Sequence, residues 1–290
     1  MKKLFVSLPA LFLMAASAFA QNAKTSTIEI NKIPQPCVSS EFTYPADIVE
    51  GALRKKFTDI KLGSGDKTKD GFRVYKGVVI PEISDKKIEF YFKVEDKKPV
   101  SQVAFLTSLG YDNFIKYETD SITVNKTIAY LNNLLTDITR FDLNDKIIKE
   151  NDVISDIEKK SKNTAKDGEG LVKDKAKVES KISKNTIELN ALKTEMEAQQ
   201  KALEVVKTKT ATIEGMSALK KEVSKQEDAT KKATKNYESA VKDSADYKED
   251  LAKTEKAIVD NKTEQEKIKA ELDTEKKKLE DLKTQLSNVK

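Results

Sequence analysis

The sequence predicts an α+β head, one helix plus a mostly antiparallel sheet, followed by a long antiparallel α-helical hairpin or coiled coil. Two observations carry this. All six prolines lie before residue 100, and beyond Phe141 the only aromatic residues are Tyr237 and Tyr247. Prolines and aromatics belong to turns, strands and globular cores, so composition divides the chain near residue 118. From Ile147 onward, apolar residues recur every seven positions, with one clear interruption at Gly215. The expected organisation is a signal peptide over 1–20, a head over 21–118 and a helical arm over 119–290.

Residues 1–20 have the three parts of a secretory signal. Lys2 and Lys3 give a basic start, an apolar stretch follows, and Ala18-Phe19-Ala20 places small residues where a signal peptidase cuts. The mature chain is expected to begin at Gln21. No later stretch approaches the roughly 18 apolar residues of a membrane span. Export to a periplasm is the expectation, with an extracellular or outer-membrane-associated location as the alternative.

In the head, 25–33 alternates polar and apolar residues around Ile28 and Ile30, the pattern of a strand. Tyr44-Pro45 opens a helix with proline at the first helical position, and Val49, Ala52, Leu53 and Phe57 form its apolar face. The segment 61–70, with Gly63 and Gly65, reads as an exposed connection. Three strands follow at 72–80, 87–95 and 100–109. In the second, Ile88, Phe90, Phe92 and Val94 share one face. This order suits a layered fold with helices on one sheet face. Tyr75, Tyr91, Tyr111 and Tyr117 are candidates for a ligand groove on the other.

A long helix is expected from about Asp120, docked on the head by Ile128, Leu131, Leu135 and Ile138. Beyond Gly215 the heptad phase resets, with Ser217 as the expected cap of the next helix. Folding the chain about Gly215 pairs seam positions whose numbers sum to 429. Of the 19 layers from Ile147 to Thr210, 14 then match apolar with apolar or polar with polar, against about ten expected by chance. Lys175, Asn185 and Asn261 are seam residues suited to fixing register. Lys290 falls opposite Thr139, so the C-terminus is expected beside the head. Asp167-Gly168-Glu169-Gly170 suggests a kink at mid-length, with a true turn and three shorter helices as the alternative.

Charge and residue usage narrow the functional classes. Residues 141–290 hold 33 Lys/Arg and 32 Asp/Glu, a dense mixture of both signs rather than the one-signed stripe of a nucleic-acid binder. The chain has no histidine, which removes the commonest general base and metal ligand. Its one cysteine, Cys37, has no internal partner and reads as a thiol packed in the head, with an intermolecular bridge or a reactive thiol as the alternative. No catalytic, cofactor-binding or metal-ligating residue is singled out, and no enzyme activity is expected.

Tyr44-Pro45-Ala46-Asp47, Val74-Tyr75-Lys76-Gly77-Val78, Pro81-Glu82-Ile83 and Phe90-Tyr91-Phe92-Lys93-Val94 resemble uncharacterised exported proteins of Bacteroidetes-type bacteria. Asn113-Phe114 and Leu131-Asn132-Asn133-Leu134 continue the resemblance into the coil. It implies a small α+β head with a C-terminal coiled coil and brings no activity with it. The expectation is a non-enzymatic structural or interaction protein of the cell envelope, its arm a spacer or an element that binds protein partners. Self-association through the coil is a further option. One alternative is a periplasmic chaperone that looks like Skp-type holdases in its long helical arms, without their returning C-terminal strand. Another is a small-ligand-binding head.

Overall fold

The computed structural model describes residues 22–110, 113–209 and 215–289. The signal-peptide segment 1–20 and Tyr111 lie outside the described residues. The chain divides into two compact units, Met1–Lys149 with Leu279–Lys290, and Glu150–Lys278.

The first unit begins with β1 (Lys24–Ile30), β2 (Ile33–Phe42) and α1 (Ala46–Asp59). It continues with β3 (Asp66–Lys67), β4 (Arg73–Ile80), β5 (Ser84–Lys97) and β6 (Val100–Ser108), then enters α2 (Ser121–Lys207). The strands form one antiparallel sheet in the order β1-β2-β6-β5-β4-β3. Two of these strands were not expected. β2 carries Pro34 and Pro36, which cannot donate to a ladder. Its pairing with β6 runs only from Val38 to Phe42, so the prolines lie where β2 bonds to β1 alone. Asn31 and Lys32, both with positive φ, make the turn that ends the first strand at Ile30. β3 is a two-residue strand inside the expected connection.

Helices cover one sheet face. Val49, Ala52, Leu53 and Phe57 of α1 meet Val124, Leu131, Leu134 and Ile138 of α2 over a core that includes Ile88, Phe90, Phe92 and Phe105. Phe57 lies among four rings, with centroids 5.1 Å from Tyr75 and 6.5 Å from Tyr130 at the extremes. On α2 the docking residue is Leu134, whereas Leu135 is exposed; the contact face runs through Leu131, Leu134 and Ile138 at helical spacing. The other sheet face carries a smaller cluster around Cys37, Phe72, Val74, Leu106 and Phe114.

Helix entry differs from expectation at two places. Pro45 is the residue before α1, and its carbonyl accepts from Ile48 and Val49. The last helix, α3 (Met216–Asn288), begins directly after Gly215, whose carbonyl accepts from Leu219. Ser217 therefore lies inside the first turn and does not cap it. At the start of α2, Asp120 is the cap: its carboxylate accepts from the Thr123 N–H at 3.0 Å and from the Thr123 hydroxyl at 3.0 Å.

α2 and α3 pack as an antiparallel hairpin, and α2 runs unbroken through 167–170. The three-helix alternative is thus excluded. Helical geometry absorbs both glycines there because neither takes a positive φ.

Candidate functional site

Among the described residues, no group of three or more Cys, Asp or Glu could hold a metal ion. The most elaborate arrangement of polar side chains lies along the hairpin seam. Antiparallel coils set each e position against another e, and each g against another g. Glu158–Lys276 (3.0 Å) and Lys207–Glu227 (3.5 Å) are e–e pairs. Lys160–Glu264 (2.9 Å) and Lys209–Glu222 (2.6 Å) are g–g pairs. The mixed charge of the sequence is thus partly spent in bridging one helix to the other.

Inside the seam, side-chain amides and a hydroxyl reach backbone carbonyls across the pair. Asn185, almost fully buried, donates to the Ala240 carbonyl at 3.1 Å. Gln226 donates to the Gln199 carbonyl at 3.2 Å, and the Thr230 hydroxyl, shared with the Gln226 carbonyl at 2.8 Å, lies 3.2 Å from the same Gln199 oxygen. Asn261 donates to the Thr164 carbonyl at 3.0 Å, while Gln265 donates to the Asn261 Oδ1 at 2.7 Å. Gly168 makes room for this last group, since a Cβ there would lie 2.5 Å from the Asn261 Oδ1. Gly168 with Asn261 and Gln199 with Thr230 are pairs from the register expected of the sequence. Of the three residues expected to fix that register, Asn185 and Asn261 bond across the seam. Lys175 instead turns outward to Glu255 at 2.8 Å, its stem along the seam and its charge in solvent.

One seam residue is energetically anomalous. Glu150 is buried, its Oε2 lies 2.6 Å from the Lys278 ammonium, and its Oε1 has no hydrogen-bond partner. The Glu275 carboxylate beside it faces the same Lys278 ammonium, 3.2 Å away. The same contacts push the Lys278 ammonium up. A buried carboxylate with one unsatisfied oxygen destabilises a coil relative to an aliphatic residue.

In the head, the expected tyrosine groove does not form. β4 and β5 pair Tyr75 with Phe90 and Val74 with Tyr91, and opposed residues share a face. Tyr75 is therefore buried under the helices, while Tyr91 packs on the opposite cluster and Tyr117 is exposed. The Tyr130 and Tyr75 hydroxyls are buried without a hydrogen-bond partner, and burial raises both phenols above their ordinary range. Cys37 is buried, and burial pushes its thiol up to about 11 against an opposing hydrogen bond from Ser26. Its thiolate is scarce near neutral pH, and the side chain packs in the cluster with Phe72, Val74 and Phe114.

Two clefts flank the core. One of about 690 Å³ lies between α1 and α2; of its cations, Lys55 and Lys56 are paired with Asp59 and Asp137, and Arg140 donates to the Val289 carbonyl. The other, about 330 Å³, opens beside β1; composition gave no signal for it because it is built from threonines on distant segments. Compared with protein-family models, curated proteins and solved structures, the chain gives no match. No helix among the described residues is long and apolar enough to cross a membrane.

Proposed function

We propose that the chain is a non-enzymatic, exported protein of the cell envelope, whose helical hairpin is a spacer and a docking element for protein partners. The observation that supports this most is the set of inter-helix bonds to backbone carbonyls. A slip by one heptad would break all three groups at once, so the length of the arm is fixed, as a spacer requires. A helix of 73 residues, the size of α3, is about 110 Å long.

The aliphatic residues exposed along the heptad tract, Ile148, Val153, Val172, Ile187, Val205, Val241 and Val259, fall at heptad positions b, g, e, f, c, e and b. They form no second seam, which favours partners other than another hairpin. They also favour one second reading, a holdase that contacts unfolded clients at dispersed apolar points. That reading expects suppression of aggregation of an unfolded outer-membrane protein at near-stoichiometric ratio; absence of suppression counts against it.

The principal reading is tested by in vivo crosslinking and pull-down with an arm shortened in register. Deleting 175–202 and 227–254 removes four heptads from each helix and preserves every remaining pair, shortening the arm by about 42 Å. Loss of captured envelope proteins is expected, whereas an unchanged set would contradict the arm's role.

A further inference from the structure

The 330 Å³ cleft has a chemistry of its own. It forms beside β1, an edge strand of the sheet, between the strands and the start of α2. Val38, Phe105, Ile115 and Val124 give it an apolar floor. Hydroxyls stand around this floor: Thr25 and Thr27 on β1, Thr107 on β6, and Thr123 and Thr127 on α2.

These hydroxyls fall into two groups. Thr123 donates to the Asp120 carboxylate at 3.0 Å and Thr127 donates to the Thr123 carbonyl at 2.8 Å. Each has spent its proton and keeps acceptor lone pairs. Thr107 is only 7% exposed, and its hydroxyl has no protein partner among the described residues. This hydroxyl is not sealed in the core; it borders the cleft and can meet a ligand there. With Thr25 and Thr27, which are exposed and equally without a side-chain partner, it offers both donors and acceptors from the sheet side. One wall therefore accepts, and the other does both.

Two charges also line the cleft, Lys116 and Glu118 on the loop preceding α2, and they are of opposite sign. The lining therefore carries no net charge, and a ligand with a net charge would lose hydration without a surplus of counter-charge to replace it. A fitting ligand is neutral, presents closely spaced hydroxyls and has one apolar face for the floor. The volume lies at the lower end of small-ligand pockets, about 300–1,000 Å³. We propose that this cleft binds a small uncharged polyol, a single sugar ring in size.

The test is ligand-detected saturation-transfer NMR on the full mature chain, with glucose, galactose, mannose and N-acetylglucosamine each at millimolar concentration. Saturation transfer to at least one is expected, falling at least fivefold in Thr107→Val. Removal of an unpartnered hydroxyl leaves the thermal midpoint of this variant unchanged or raised, which separates loss of binding from loss of fold. Thr27→Val, on the exposed edge strand, provides a second variant with the same expected loss. Absence of transfer to all four sugars overturns the proposal. So does transfer that survives both substitutions, since binding would then lie elsewhere.

Discussion

Gly168 and Gly170 sit two residues apart in one helix, and their surroundings separate them. Nothing lies within 4 Å of a Cβ added at Gly170, whereas at Gly168 it meets an Asn261 amide already held by two hydrogen bonds. Gly170→Ala should gain the helix propensity of alanine, about 1 kcal/mol. Gly168→Ala should fall short of it by at least about 1 kcal/mol, the worth of the displaced bonds. Thermal melts followed by circular dichroism at 222 nm compare the two. Asp120 gives a second test at this scale. The Thr123 N–H holds its carboxyl below the ordinary value of 3.8, so the folded state binds a proton less readily than the unfolded one. Its contribution is complete above about pH 4 and is lost as pH falls through the depressed folded value. Asp120→Asn keeps the bond to the Thr123 N–H without the charge or the acceptor for the Thr123 hydroxyl, so it should melt below the parent near neutrality and show a shallower loss of stability below pH 4.

Among the elements, the hairpin seam was the most legible in the sequence, because a heptad repeat sustained over many turns constrains each residue through its neighbours. Register followed from where polar layers meet, as at Gln199 with Thr230. Glu150 shows what the pattern could not convey, since a lone polar d position reads as tolerance until its burial is seen. Glu150→Leu should stabilise the hairpin by about 1–4 kcal/mol. Lys278→Ala should destabilise it, because the buried carboxylate then loses its cation; chemical denaturation of the three proteins gives the order. The head was less legible. The prolines of β2 hid a strand whose first half bonds on one side only. The faces of Tyr75 and Tyr91 depended on a strand pairing that their own neighbours do not encode. The threonine cleft needs five segments brought together, and threonine carries no motif of its own.

For the whole molecule, composition already separates two kinds of structure, one rich in aromatic and turn residues and one nearly free of them. Their compact units hold distinct chemistry: a helix-covered sheet with a hydroxyl-lined cleft, and a charge-bridged coil whose register is fixed by polar side chains. Protein partners are proposed for the coil. Site-specific photocrosslinking in the native envelope tests this most directly, with the crosslinker at exposed arm positions Val172, Ile187 and Val259 and at exposed head positions Ile33, Val79 and Leu109. Discrete adducts from the arm, absent or weaker from the head, are the expected result. Adducts from the head alone would contradict it.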